Sequence, residues 1–325
     1  MTIDSDKVAK FEIQNGDGRE AYPMRPLAHD QVGAFLGVPA KYYDRMLTDA
    51  PQLLADNVNT WLERSNDRRM VRTLNGDMRA FLSDKYARVE NEEIAEAVLP
   101  VLLEQAPQLK IVSCQITERR LYIQATTERV VGEVRKGDVV QAGVIISNSE
   151  VGLGAVSVRP MIYRLACLNG MILPDAKFTA RHVGRRIDMS EDLNAMFSDE
   201  AKRADDHALL LKARDVVRGS MDEALFGKTL ERMKALTEGR IEGDPNKSVE
   251  VLAQKIGVTE GERGGILRAL IEGGDTSAWG LLNAVTAQAH TGNYDRAVEF
   301  EAAGGALLNL NRSDWKEILT AGVAA

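Results

Sequence analysis

A chain of 325 residues, 44% hydrophobic and 27% charged, is long enough for one large domain or two ordinary ones and too apolar for wholesale disorder. Its net charge of −7 is uneven: residues 110–186 carry 12 Lys/Arg against 6 Asp/Glu, and residues 64–88 carry 7 against 3. A basic middle inside an acidic protein is the pattern of a polyanion-binding face. With only Cys114 and Cys167 a disulfide framework is excluded, and a reducing, cytoplasmic setting is the expectation.

No apolar run reaches the roughly 18 residues that a membrane span needs, so no membrane partner is expected. The opening Met1-Thr2-Ile3-Asp4-Ser5-Asp6 lacks the basic and apolar regions of a signal peptide. His29, His182, His207 and His290 stand apart from one another and from the cysteines, so no zinc site is expected. Neither a phosphate-binding Gly-x-x-x-x-Gly-Lys-Ser/Thr loop nor a dinucleotide Gly-x-Gly-x-x-Gly opens a helix, and no cofactor is expected.

In chain order, residues 1–20 read as a polar arm ending in Asn15-Gly16-Asp17-Gly18. Residues 28–62 read as short helices around Gly37, a helical hairpin whose spacing also resembles a helix-turn-helix. Two alternating runs, 68–74 and 78–83, flank Asn75-Gly76 and predict a β-hairpin. One face of that hairpin would present Arg68 or Arg69, Arg72 and Arg79. A helix follows over 92–105 with Asn91 as its cap, and Pro100 should kink it or begin its last turn. Strands are then expected over 110–116, 120–125, 138–147 and 155–165, a long antiparallel meander with Cys114 buried in its first strand. From residue 190 onward the pattern is helical, with helices at 190–217, 222–236, 249–256, 260–271, 277–291 and 296–307. Gly304-Gly305 is expected to end the last of these.

The fold class expected is therefore α+β: an antiparallel β-meander with flanking helices, followed by a mostly helical C-terminal domain. The boundaries expected are 1–62 for an N-terminal arm and helical segment, 63–188 for the α+β core, and 189–325 for the helical domain. The helices of the last part carry more Ala- and Leu-rich surface than a small sheet covers, which predicts a homo-oligomer.

Basic residues at turns and along one strand are the candidate site. Arg119, Arg120, Arg135 and Lys136 fall at hairpin turns, while Arg159, Arg164, Arg181, Arg185 and Arg186 lie along or after the last strand. Convergence on one sheet edge would make a groove that tracks a phosphate backbone. Arg159 and Arg164 are five apart on a strand, so only one of them lines a given face unless a bulge at Pro160 resets the alternation, and Arg164 with Arg185 and Arg186 is chosen over Arg159 as the phosphate contact. Single-stranded DNA is the expected partner, bound without ATP and without strong sequence preference. Two alternatives stay open. One is a structural or interaction protein with an incidental basic patch. The other is an enzyme using Asn148, Glu150, Cys167 and Asn169 around the Gly turns.

Three separated phrases carry a family resemblance. Arg79-Ala80-Phe81-Leu82-Ser83-Asp84-Lys85-Tyr86 is the first, with the helix after it. The second runs from Ser147-Asn148-Ser149-Glu150-Val151-Gly152 to Arg159-Pro160-Met161-Ile162-Tyr163-Arg164-Leu165-Ala166-Cys167-Leu168-Asn169-Gly170-Met171. The third joins Trp279-Gly280-Leu281-Leu282-Asn283-Ala284-Val285-Thr286-Ala287 to Tyr294-Asp295-Arg296-Ala297-Val298-Glu299-Phe300-Glu301. Together they resemble the phage- and plasmid-like family catalogued as domain of unknown function 932. The resemblance covers about residues 59–308 and implies mobile-element ancestry, with recombination, replication or defence evasion as settings. A helix beside a basic meander also resembles, in architecture, the ring-forming single-strand annealing proteins.

Overall fold

The computed structural model describes the chain except for residues 16–17, 85, 87–88, 105–108, 175–177, 181–198, 220–221 and 324–325. It is an α+β protein whose chain divides into two compact units. One unit is Met1–Arg88 with Glu150–Gly154 and Arg181–Ala195, the last of these segments lying outside the described residues. The other is Val89–Ser149, Ala155–Ala180 and Met196–Ala325.

The first unit opens with strands β1 (Thr2–Ile3), β2 (Ala9–Asn15) and β3 (Gly18–Pro23), an antiparallel sheet in that order. The expectation of a bare arm is thereby corrected. Phe11 and Ile13 alternate with Lys10, Glu12 and Gln14, the period of a half-buried strand, which the polar composition of the segment masks. Helices α1 (Pro26–Phe35), α2 (Ala40–Asp49) and α3 (Pro51–Arg64) follow. Gly37, at φ +69°, makes the turn between the first two in a conformation that side chains resist. The expected hairpin is β4 (Arg69–Leu74) with β5 (Asp77–Ser83), and Asn75 (φ 53°) and Gly76 (φ 86°) are both left-handed, as a tight hairpin turn requires.

Arg79 is not part of an exposed basic face on that hairpin. Met78 through Leu82 are all buried, Arg79 included, because both sides of β5 are covered. Arg79 Nη1 donates to Glu150 Oε2 at 2.8 Å, and the side-chain amide of Gln31 holds Val151 O at 2.8 Å. One core unites Val32, Tyr43, Leu54, Val58, Met78 and Phe81.

In the second unit, α4 (Asn91–Glu104) is continuous through Pro100. The meander is β6 (Leu109–Ile116), β7 (Leu121–Glu133), β8 (Val139–Asn148), β9 (Val156–Arg164) and β10 (Asn169–Ile172), each antiparallel to the next, with β11 (Phe178–Ala180) also on β9. Helices α5 (Asp199–Gly219), α6 (Glu223–Leu236), α7 (Pro245–Ile256), α8 (Glu260–Gly273), α9 (Ala278–Thr286), α10 (Tyr294–Leu308) and α11 (Arg312–Leu319) complete it, with a 3-10 turn at Ala287–His290. Helix α11 lies beyond the last helix that the sequence pattern predicts. Asn311 caps it by accepting from Asp314 N–H, and Trp315 and Ile318 anchor it.

The two faces of the sheet have different covers. Leu121, Ile123, Ala125, Val144, Ile146, Val156 and Val158 pack against α4 and α5. On the other face Tyr122, Ile145, Met161 and Ile172 meet Val298 and the Tyr294 ring of α10. The helical region closes mainly on itself and on the far end of the sheet, around Trp279, Leu281, Leu282, Phe300 and Ile162. Its Ala- and Leu-rich faces are thus occupied; Ile271 and Val323 are the large apolar side chains it exposes among the described residues. Strand β6 is an edge, which exposes Cys114 contrary to expectation.

Candidate functional site

The cross-strand register builds the site. Ser113, Gln124, Ile145 and Arg159 form one row across β6 to β9, and Gln115, Tyr122, Ser147 and Ser157 form the next. Because side chains alternate along a strand, all eight lie on the face that α10 crosses. That face carries many polar groups for a covered one, and α10 meets several of them. Asp295 Oδ1 accepts from Tyr122 Oη at 2.8 Å and from Thr117 Oγ1 at 3.1 Å. The Tyr294 hydroxyl donates to Ser113 Oγ at 2.6 Å. Further along the helix, Glu301 accepts from Gln124 Nε2 and from Gly170 N–H, each at 2.7 Å.

Arg159 stands out in this setting. Its Nε is buried and has no hydrogen-bond partner among the described residues, and the guanidinium makes no ion pair with them. Arg120, Tyr122 and Glu301 act on it electrostatically. Burial and then the Arg120 charge pull its pKa down from the ordinary arginine value. A half-buried cation without a partner costs stability, and an anion placed beside it would relieve that cost. Burial, with the Asp295 hydrogen bond behind it, pushes the Tyr122 phenol up to about 12, so it stays a neutral donor. Tyr163 and Tyr294 are raised for the same first reason.

Burial also raises the Glu301 carboxyl, against the hydrogen bonds from Gly170 and Gln124. The folded protein therefore binds this proton more tightly than the unfolded chain. Its stabilising contribution is complete below the unfolded value of about 4.3 and is lost as pH rises through the folded value. Replacing Glu301 by Gln, with the Gln124 amide turned to match, removes that loss. The variant's melting temperature relative to the parent is expected to be higher at about pH 8 than at about pH 4. An offset equal at both pH values would show that Glu301 does not titrate across this range.

The other candidate cations do not share one place. Arg119 is exposed and Arg120 half-buried at the β6–β7 turn, on the Arg159 side of the sheet. Arg135 and Lys136 sit at the β7–β8 turn, at the opposite end of a 13-residue strand, roughly 40 Å away at about 3.3 Å per residue. At that end both arginines, Arg135 and Arg164, are already paired. Arg164 donates to both oxygens of buried Asp138 at 2.5 and 3.0 Å, Trp279 Nε1 donates to Asp138 Oδ2 at 2.9 Å, and Arg135 pairs with Asp275 at 2.7 Å. Arg164 also lies 5.9 Å from the centre of the Trp279 ring. Arg181, Arg185 and Arg186 lie outside the described residues.

The residues of the enzymatic alternative are engaged with partners of their own or lie at opposite ends of a strand. Asn148 donates to Val89 O and Asn91 Oδ1 at the start of α4, each at 2.9 Å. Glu150 belongs to the first unit, paired with Arg79. Cys167 and Asn169 flank the β9–β10 turn, where Cys167 Sγ accepts from Arg164 at 2.7 Å. That turn adjoins Val140, whereas Asn148 ends the same strand about 26 Å away. Among the described residues no group of His, Cys, Asp or Glu could hold a metal ion, and no helix is long and apolar enough to cross a membrane.

The sequence singles out Arg120 and Arg159 but cannot join them to Gln124, Tyr122, Asp295 and Glu301. The Tyr122–Asp295 and Gln124–Glu301 bonds span more than 170 positions in the chain, and no local spacing encodes them. No curated protein and no solved structure gives a significant match to this chain. A family described as domain of unknown function 932 matches residues 80–315, from β5 through α11, and the chain belongs to that family.

Proposed function

We propose that this protein binds single-stranded DNA through its phosphates, without ATP, at the end of the second unit's sheet that carries Arg119, Arg120 and Arg159. The observation that supports the reading is Arg159, a half-buried guanidinium with no ion-pair partner among the described residues. Arg119 at the exposed turn supplies a steering charge beside it, and the half-buried rings of Tyr163 and Tyr294 give the face an aromatic border. The absence of any nucleotide-hydrolysis motif in the sequence agrees with passive binding or annealing.

Titration of single- and double-stranded oligonucleotides at two salt concentrations tests it. Single strands should bind more tightly, with log affinity falling as log salt rises. The Arg119→Ala/Arg159→Met variant should flatten that slope by roughly 0.7 for each phosphate that is no longer neutralised. Arg164→Ala should leave the slope unchanged, since Asp138 already holds that side chain. No binding at low salt, or a slope identical in the double variant, would remove this reading.

A further inference from the structure

We infer that the first unit carries a nucleobase pocket, a site for one uncharged two-ring base with a ring carbonyl, which among the common bases is guanine. The pocket lies wholly within the first unit, so it stands or falls apart from the phosphate site proposed on the second.

Size and apolar walls point to a fused ring. The cavity measures about 330 Å³, roughly twice one that holds a single benzene. Phe11 and Ile13 reach it from β2, Phe35 from α1, Leu62 from α3, Val71 from β4 and Phe81 from β5. The centre of the Phe81 ring lies 5.7 Å from that of Phe11 and 5.5 Å from that of Phe35. Phe11 and Phe35 are only half-buried, so ring surface remains open to a planar ligand. Aromatic rings and guanidinium planes are the surfaces on which unpaired bases stack.

The polar groups point to a carbonyl beside ring donors. Arg69 lines the cavity with its guanidinium carbon 3.8 Å from the centre of the Phe35 ring, and its Nη2 donates to Asp67 Oδ2 at 3.4 Å. Arg69 Nε is buried and has no acceptor among the described residues. A buried donor left unmade costs stability, and a ligand carbonyl would supply the missing acceptor. Two carboxylate residues, Glu12 and Asp67, line the cavity against this one cation, which disfavours an anionic ligand. On the pairing edge of guanine the O6 acceptor stands beside the N1–H and N2–H donors. Arg69 and Asp67, joined by their own contact, offer a donor beside an acceptor in the same way. Adenine places an amino donor where guanine has O6, and would leave Arg69 Nε without a partner.

The test is a titration of the full chain with guanosine, adenosine and thymidine, followed by saturation-transfer NMR. Nucleosides carry no phosphate, so they do not report on a phosphate site. Guanosine should bind about tenfold more tightly than adenosine, the effect of one hydrogen bond to a charged group, and more tightly than single-ring thymidine. Arg69→Met, which keeps the apolar stem and removes the donors, should bring guanosine down to the level of adenosine. Asp67→Ala, at a side chain 66% exposed and therefore tolerant of change, should weaken guanosine as well. A single strand with one guanine, compared with the same strand lacking that base, separates the two sources of the ligand. A loss of affinity that Arg69→Met abolishes means a base within a strand, and equal affinity with guanosine still bound means the free nucleoside. Three results would overturn the pocket: equal binding of all three nucleosides, no nucleoside bound and no loss on removing the base, or a guanosine preference that survives both variants. Should Arg69→Met not fold, the nucleoside ranking in the parent and in Asp67→Ala decides alone.

Discussion

Replacing Asp138 by alanine is expected to cost about 3–5 kcal/mol of stability and lower the melting temperature by on the order of 10 °C. The carboxylate is 4% exposed and accepts from Arg164 through two nitrogens and from the Trp279 indole. Its removal leaves a half-buried guanidinium and a fully buried indole N–H without partners, and stranded donors cost more than the pair itself contributes. Arg164→Met should cost less than Asp138→Ala, because the indole bond survives and the thioether chain fills the stem's space. In a double-mutant cycle the two effects should fall well short of additive. Thermal melts of the two single variants and the double variant decide this. Additive effects would mean that Asp138 and Arg164 do not act as a unit. The result also bears on function, because an arginine held this way is not free to meet a phosphate.

Much of the architecture is legible locally. Asn75-Gly76 fixes a hairpin because few residues accept two successive left-handed conformations, and the Thr117–Arg120 turn separates two runs with clear alternation. The C-terminal helices announce themselves by period, and Thr259 with Glu262 closes a reciprocal cap at the start of α8. What local patterns miss depends on which side of an element is covered. Arg79 looks like a solvent-facing strand residue, yet β5 is buried on both sides and Glu150 receives the charge. Cys114 looks buried, yet its strand is an edge. The candidate site is legible only as a set of cations. Position along the chain does not reveal that Arg164 has an acid waiting for it at Asp138 while Arg159 has none among the described residues. That difference arises from the register of β8 on β9 and from where α10 and α9 cross the sheet.

The second large effect concerns the glycine pair inside α10. Local pattern marks Gly304-Gly305 as a breaker, but the helix runs through both to Leu308. A glycine in a helix interior is about 1 kcal/mol worse than alanine, so the pair demands a reason. The reason is close approach: a Cβ on Gly305 would stand 1.8 Å from Ile172 O and 2.6 Å from its carbonyl carbon, and one on Gly304 would stand 2.3 Å from Thr286 Cγ2. The Thr286 methyl belongs to a side chain, not to backbone. The Ile172 carbonyl belongs to β10 and cannot yield without moving the sheet. Gly305→Ala must therefore lift α10 away from β10, which strains the Glu301 hydrogen bond to Gly170 N–H on that strand. Overpacking of this severity is expected to cost about 3 kcal/mol or more, in spite of the gain in helix propensity. Gly227→Ala in α6 is the matched control, since a Cβ there meets nothing within 4 Å. It should instead raise stability by up to about 1 kcal/mol. Because α10 also crosses the sheet face that carries Arg159, Gly305→Ala should weaken single-strand binding under conditions where the variant is still folded, and Gly227→Ala should leave it untouched. Opposite shifts of the two variants in denaturant titrations would place the close approach of α10 to β10 among the features that hold the site in shape; equal stabilisation by both would refute it.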